Sequence, residues 1–161
     1  LLGEDPLLDT SRAGVMGRSY GGYMTLMLAT RHPDAFKAAC DMFGPFDLLN
    51  DFADNLPENW RVFMTRALGD PAIEEDRLDI IERSPCTKIQ DLKAPLMVIQ
   101  GKNDFRVSAS ESERIVREVQ ELGKEVTYLL FEDEGHDIAK SGNRVRCFSE
   151  VADFFAKHLQ P

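Results

Sequence analysis

A short string near the N-terminus has the residue types and the spacing of an activated serine nucleophile. Ser19 lies at the centre of Gly17-Arg18-Ser19-Tyr20-Gly21. A serine that attacks a carbonyl carbon must project from a sharp strand-to-helix turn, and we expect that strained turn to accept only small residues two positions to either side. The alternative is a glycine-rich turn used for close packing. An apolar run before the string and a helical period after it favour the nucleophile.

A base and a carboxylate that would activate this serine stand later in the chain. Histidine is the natural base at neutral pH, and the chain has three. His32 precedes a proline and His158 lies in the C-terminal helix, where both are more simply surface residues. His136 and Asp104 each follow a predicted strand, so we expect them to meet Ser19 at one edge of a parallel sheet. The order serine, aspartate, histidine is that of α/β-hydrolases, with an ordinary loop histidine and a plain turn aspartate as the alternatives.

Short apolar runs alternate with segments of helical period, which indicates an α/β fold whose parallel sheet is covered by helices. Four strands are predicted, at 13–16, 38–43, 95–100 and 126–131. Residues 46–92 are acidic, contain several prolines and are helical in period, so they predict short helices that form a cap or crossover insertion. We therefore expect residues 1–161 to form one α/β unit that carries this insertion.

Two later helices have a predicted core-facing stripe at three- and four-residue steps. In the first helix, which Gly123 ends, the stripe consists of Ile115, Val116, Val119 and Leu122. In the last helix it consists of Val145, Phe148, Val151, Phe155 and Leu159.

Composition excludes several classes of partner. A formal charge of -9 repels the phosphates of nucleic acids. No apolar run approaches the roughly 20 residues that cross a bilayer, and the first residues lack the pattern of a signal peptide. We therefore expect a cytoplasmic protein without a nucleic-acid or membrane partner. Cys40, Cys86 and Cys147 are far apart and show no C-x-x-C spacing, so we expect buried, reduced thiols and no zinc site.

The strings GRSYGGYMT, GKNDFRV and EDEGHDI closely resemble the prolyl oligopeptidase family of serine peptidases. Among the branches of that family, the resemblance is to acylaminoacyl-peptidase and dipeptidyl-peptidase-like members, and it covers nearly the whole chain. It implies that Ser19 is the nucleophile, that Asp104 and His136 complete the triad, and that the backbone N–H of Tyr20 donates to the oxyanion. It also implies that no metal or organic cofactor is needed.

The resemblance also suggests residues that bind substrate. Arg106 matches the family string D-x-R-V and would line or brace the pocket by ion pairing, although a surface salt bridge accounts for it equally well. Tyr23 and three further aromatic residues would line an apolar S1 pocket, although aromatic residues in such positions more often belong to the core. The three are Phe43, Phe46 and Trp60.

Family members carry a β-propeller and four further hydrolase strands ahead of the nucleophile strand, and this sequence contains neither. We therefore expect a partial α/β-hydrolase fold made of the last four strands, with the nucleophile strand at an exposed edge. Such an edge invites self-association or pairing with another chain. The second oxyanion donor would be missing, which commonly costs about a hundredfold to a thousandfold in rate.

These residues and the resemblance predict a serine peptidase that cleaves short peptides through an acyl-enzyme. A carboxylesterase is the first alternative, because the same triad and turn serve ester hydrolysis. A non-catalytic half-domain that acts in association is the second.

Overall fold

A computed structural model describes residues 5, 7–53 and 58–160, and for residues 51–53 it describes the backbone alone. Four parallel strands form one sheet in the order β1 (Gly14–Arg18), β2 (Ala38–Met42), β3 (Leu96–Gly101) and β4 (Val126–Phe131). Neighbouring strands pair in register, for example Met16 with Cys40 and Val98 with Tyr128. Parallel strands of consecutive order place all their carboxyl ends at the same edge, so the loops that follow β1, β3 and β4 meet there.

Helices cover both faces of the sheet. On one face lie α1 (Tyr20–Arg31) and α5 (Ala109–Glu121), and on the other lies α6 (Ser141–His158). The side chains of β2 and β3 are buried throughout. A strand that is buried on both faces has a continuous run of apolar residues, and this run predicts β3 from the sequence.

The chain between β2 and β3 is largely helical. It contains α2 (Leu48–Ala53), α3 (Glu58–Leu68) and α4 (Glu74–Glu82), followed by a 3-10 helix at Pro85–Asp91; a second 3-10 helix, Thr10–Arg12, precedes β1. A small apolar cluster built around Tyr23, Leu48 and Ile80 packs the helices of this segment against α1. Residues 54–57 of the predicted insertion lie outside the described residues.

The predicted stripe of α6 is wrong at its first two positions. Val145 and Phe148 are exposed at 73% and 47%, whereas the helix buries Cys147, Val151 and Phe154. Two apolar stripes lie side by side on this helix, and periodicity alone does not tell which one faces the sheet. Leu122, predicted to face the core from α5, is also exposed.

The second predicted strand ends one residue early. The sequence predicts a strand through Phe43, but the φ of Phe43 is 46°, in the left-handed region. The strand therefore stops at Met42. Of the non-glycine residues that the structure describes, only Ser19 and Phe43 have a positive φ. Such backbone is strained and tends to occur at functional sites.

The cysteines are free thiols, with Cys40 and Cys147 buried and Cys86 half-buried. No helix in the described ranges is both long enough and apolar enough to cross a membrane.

Candidate active site

Ser19 lies in the turn between β1 and α1, with φ 54° and ψ −119°. Its backbone N–H donates to the carbonyl of Met42, and its own carbonyl accepts the N–H of Tyr23 at the start of the helix. A Cβ on Gly17 would lie 2.1 Å from the carbonyl oxygen of Gly21, so the turn closes only with glycine at position 17. These contacts hold the Ser19 side chain above the carboxyl edge of the sheet.

The requirement for small residues is not symmetric about Ser19. A Cβ on Gly21 would meet nothing within 4 Å. The prediction that only a small residue fits two positions after Ser19 is therefore wrong, because there is room for a side chain at position 21. The tight position is Gly22, whose Cβ would lie 2.3 Å from a carboxylate oxygen of Asp41 and 2.9 Å from Gly44. Close packing of α1 against the end of β2 therefore depends on Gly22.

The structure brings the three predicted site residues into one chain of hydrogen bonds. The Oγ of Ser19 lies 2.9 Å from Nε2 of His136, and Nδ1 of His136 lies 2.8 Å from Oδ2 of Asp104. The Asp104 side chain is fully buried and the His136 side chain is 10% exposed. When Nδ1 carries the proton that is donated to Asp104, Nε2 has a free lone pair to accept the hydroxyl of Ser19.

Asp104 accepts hydrogen bonds on both carboxylate oxygens. Its Oδ1 accepts the backbone N–H groups of Arg106 and Val107, at 2.8 and 3.0 Å. Burial alone would raise the pKa of Asp104, but the hydrogen bond from His136 and the two backbone N–H groups outweigh burial and lower that pKa below its ordinary value. Asp104 is therefore a buried carboxylate that stays ionised at neutral pH.

His136 lies in the loop between β4 and α6, and the buried carboxylate of Glu134 holds that loop together. Glu134 accepts the backbone N–H groups of Ala139 and Lys140, both at 3.0 Å, and the side-chain amide of Asn143 at 2.7 Å. Burial opposes ionisation, but these hydrogen bonds lower the pKa of Glu134 below its ordinary value. Sequence reasoning missed this role, although the acidic residue two positions before the histidine was visible.

A second buried carboxyl, Asp41, lies between the serine turn and the end of β2. Its Oδ1 accepts the N–H of Gly44 at 3.0 Å, while its Oδ2 has no partner among the described residues. Burial raises the pKa of Asp41 to about 8, and the hydrogen bond from Gly44 only partly opposes that rise. Asp41 is therefore mostly protonated at neutral pH.

An apolar cavity of about 410 Å³ opens beside Ser19 and His136. One of its walls is the apolar face of α3, whose helical period was visible in the sequence. That face consists of Trp60, Phe63, Met64, Ala67 and Leu68. The other walls come from Tyr20, Tyr23, Pro45, Leu48, Phe105, Arg106 and Val107.

The aromatic residues predicted for this pocket divide between pocket and core. Tyr23 and Trp60 line the cavity, whereas Phe43 and Phe46 are buried at 1% and 0% exposure and do not line it. The hydroxyl of Tyr23 donates to the carbonyl of Arg83 at 3.0 Å, so Tyr23 offers its ring to the cavity. For Phe43 and Phe46 the core alternative therefore holds, whereas Tyr23 and Trp60 take the pocket positions.

Arg106 lines the cavity, but it is not braced there by an ion pair with any described residue. Its guanidinium lies over two aromatic rings instead, 5.7 Å from the centroid of Trp60 and 5.5 Å from that of Phe105. Within the part of the chain that the structure describes, Arg106 therefore forms neither the pocket ion pair nor the surface salt bridge that the sequence suggested, and its charge is instead stabilised by the two aromatic rings.

Tyr20 is the first residue of α1, and its side chain is 71% exposed at the cavity. The first N–H groups of a helix have no acceptor inside that helix, so they are free to donate to a ligand. Tyr20 directly follows Ser19, whose Oγ faces His136, so the N–H of Tyr20 lies next to the nucleophile in the chain.

The sheet, its covering helices and the serine turn define the chain as part of an α/β-hydrolase. A solved acylaminoacyl peptidase in complex with Z-Gly-Gly-Phe-chloromethyl ketone superposes with a TM-score of 0.85 and 29% identity, over 98% of this chain and 25% of that chain. The predicted fold class is thereby confirmed.

The model of the Prolyl oligopeptidase family matches residues 1–161, and the chain belongs to that family. It is 40% identical to dipeptidyl aminopeptidase BIII of Pseudoxanthomonas mexicana over 147 residues, which are 89% of this chain and 21% of that protein. It is 34% identical to dipeptidyl peptidase family member 6 of Caenorhabditis elegans over 157 residues, 95% of this chain and 21% of that protein. The chain thus spans about a fifth of the length of these relatives.

Proposed function

We propose that the protein is a serine peptidase that cleaves peptide bonds of short peptides through an acyl-enzyme. One observation carries the proposal: the unbroken hydrogen-bond chain from Ser19 through His136 to the buried Asp104. Family membership supports the reaction class.

In the proposed reaction, Ser19 Oγ attacks the scissile carbonyl carbon while Nε2 of His136 takes its proton. The new C–O bond forms a tetrahedral intermediate, and the protonated imidazole is stabilised by the carboxylate of Asp104. His136 then gives the proton to the leaving amine as the C–N bond breaks. Water attacks the resulting ester by the same route, with His136 again acting first as base and then as acid.

The negative charge that develops on the substrate oxygen needs a hydrogen-bond donor. We assign that role to the backbone N–H of Tyr20, because it lies at the start of α1, where the helix dipole also favours an anion. One donor lowers the barrier only in part, and removal of a single oxyanion donor commonly costs about a hundredfold to a thousandfold in rate.

The cavity beside Ser19 favours substrates with a large apolar side chain next to the scissile bond. Its walls are mainly aromatic and aliphatic, and the ring of Tyr23 forms one of them. Arg106 is the charged residue in the lining, and we assign it to polar groups of the bound peptide. The solved acylaminoacyl peptidase was captured with a phenylalanine-derived chloromethyl ketone, which fits a cavity of this kind.

Covalent labelling provides the direct test. We expect a fluorophosphonate probe to add one adduct to the protein, seen by intact mass, and the adduct to be absent from Ser19→Ala. Absence of an adduct from folded protein, expressed at the full length of its gene, would contradict the proposal. Light scattering on the same sample tests the predicted self-association, and cell fractionation tests the predicted cytoplasmic location.

Matched substrates separate this proposal from its two alternatives. A carboxylesterase would cleave an ester of an apolar amino acid and leave the corresponding amide intact, whereas a peptidase cleaves both. An association role without catalysis would be unaffected by Ser19→Ala, whereas the peptidase loses all turnover.

A further inference from the structure

Gln100 is a polar side chain in β3, whose other side chains are apolar, and it is fully buried. Its amide nitrogen Nε2 lies near three oxygens: the carbonyl of Gly101 at 3.0 Å, the carbonyl of Val107 at 3.2 Å, and Oδ2 of Asp104 at 3.3 Å. Its amide oxygen Oε1 accepts the hydroxyl of Ser112 at 2.8 Å. Gln100 therefore connects α5, through Ser112, to the carboxylate next to His136.

The orientation of this amide is determined by its surroundings. The side that faces Asp104 presents three acceptors, so a flipped amide would place its oxygen against three other oxygens. The hydroxyl of Ser112, which is also fully buried, supplies the donor that Oε1 needs. The two hydrogens of Nε2 are therefore shared among three acceptors, of which Oδ2 of Asp104 is the most distant, and the donor side of the amide is held toward Asp104.

Gln100 and His136 share one acceptor atom. Both donate to Oδ2 of Asp104, whereas Oδ1 is satisfied by the backbone of Arg106 and Val107. A second donor on Oδ2 draws negative charge away from the hydrogen bond to His136 and restricts rotation of the carboxylate. Because Gln100 also donates to the carbonyl of Val107, it ties the turn that follows Asp104 to the strand that precedes it.

We propose that Gln100, anchored by Ser112, is a positioning residue that orients the carboxylate of Asp104 and tunes the strength of its hydrogen bond to His136. The proposal rests on the proposed peptidase function. A buried polar group is costly unless it is paired, and among the described residues Asp104 is the member of the hydrogen-bonded triad that this amide contacts.

Gln100→Met tests the proposal, because methionine has a similar length and no donor. In the protein expressed at the full length of its gene, kcat falls about tenfold, because the Asp104 carboxylate is no longer held in the one orientation that aligns His136 with Ser19. KM stays unchanged, because Gln100 does not line the cavity. The acid limb of kcat/KM against pH moves to higher pH, since an unshared Oδ2 stabilises protonated His136 more. The far-downfield proton resonance of the His136–Asp104 hydrogen bond also shifts.

Ser112→Ala deletes a single hydroxyl and is the second variant, in case Gln100→Met does not fold. It removes the donor to Oε1, so the amide is anchored on one side only, and the acid limb moves in the same direction by a smaller amount. Val119→Ala, at an equally buried position of α5 in the apolar cluster, is the control for lost stability, and its pH profile matches the wild type.

The outcomes separate this proposal from the peptidase function itself. If Ser19→Ala abolishes turnover but the pH profiles and the downfield resonance of both test variants coincide with the wild type, the positioning role is refuted and the peptidase function stands. If Ser19→Ala retains turnover, the proposed function fails, and the positioning role fails with it.

Discussion

The ring of Phe43 packs against the imidazole of His136, with ring centroids 5.0 Å apart. This contact depends on the left-handed backbone of Phe43, which turns the chain sharply at the end of β2 and aims the ring toward the β4–α6 loop. The guanidinium of Arg18 lies over the same ring, 5.6 Å from its centroid, and forms an ion pair with Asp137, the neighbour of His136. Phe43 therefore supports the histidine from the side opposite to solvent.

Phe43→Leu tests this support. We expect kcat to fall by about tenfold, because the imidazole loses its aromatic contact and a well-defined orientation. The free energy of unfolding falls by roughly 1 to 3 kcal/mol, as for other losses of buried volume. Phe46→Leu is the matched control, since Phe46 is equally buried but lies in the cluster on the other face of the sheet. Equal losses of kcat in the two variants would show that Phe43 acts through stability alone.

Glu134→Gln is expected to loosen the loop that carries His136. An amide supplies one acceptor oxygen in place of two, so the N–H groups of Ala139 and Lys140, just before α6, lose part of their pairing. Because the pKa of Glu134 is lowered in the folded protein, its contribution to stability is present above the ordinary value of 4.5 and is lost as pH falls below it. The melting temperatures of variant and wild type should differ at pH 7, and the difference should shrink as pH falls below 4.5 and through the lowered pKa of Glu134.

Glu132→Gln provides the control for that comparison. Glu132 lies in the same loop but is exposed, and it pairs with Lys102 at the surface. A surface ion pair contributes little, so this variant should melt close to the wild type at either pH. If both variants behave alike, the loop is not held by Glu134.

Asp41→Asn is expected to change how stability depends on pH. The folded pKa of Asp41 is raised from 3.8 to about 8, so between these values the folded state holds a proton that the unfolded state releases. Stability therefore falls as pH rises across this window, by at most about 1.4 kcal/mol per pH unit. Asparagine keeps the acceptor for Gly44 but does not titrate.

Denaturant unfolding between pH 5 and pH 8 measures this effect. Relative to wild type, the asparagine variant should gain stability steadily as pH rises. Asp91→Asn, at an exposed position, should run parallel to the wild type. A constant difference between Asp41→Asn and wild type across the range would contradict a buried, protonated Asp41.

Phe63→Ala tests the cavity as the site of the substrate's apolar side chain. We expect kcat/KM to fall by about tenfold to a hundredfold for a substrate with phenylalanine before the scissile bond. For the corresponding alanine substrate the change is small, because that side chain does not reach α3. Val62→Ala, on a part of α3 that lies outside the cavity, is the control. Equal effects on both substrates would place the apolar side chain elsewhere.

Residue type and chain order sufficed to predict the meeting of Ser19, Asp104 and His136, because parallel strands bring the loops at their carboxyl ends together. The hydrogen bonds around Gln100 were harder to foresee, since a single glutamine in an apolar strand shows neither its partners nor its orientation. The backbone of Phe43 was missed because left-handed conformations are rare for aromatic residues. Two apolar stripes lie on α6, and the sequence does not show which of them faces the sheet. In the structure it is the stripe that contains Cys147.

Ser19 follows β1 and Asp104 follows β3, so one strand, β2, lies between them without supplying a reacting group. Adjacent strands are spaced about 4.8 Å apart, which leaves a gap of roughly two spacings to bridge. One imidazole with hydrogen bonds of 2.9 and 2.8 Å bridges it. At the end of β2, a Cβ on Gly44 would lie 2.4 Å from the backbone of Gly22, so glycine at position 44 allows the start of α1 to pack closely against this strand. The middle strand thus acts as a spacer that sets a distance which one imidazole and its two hydrogen bonds can span.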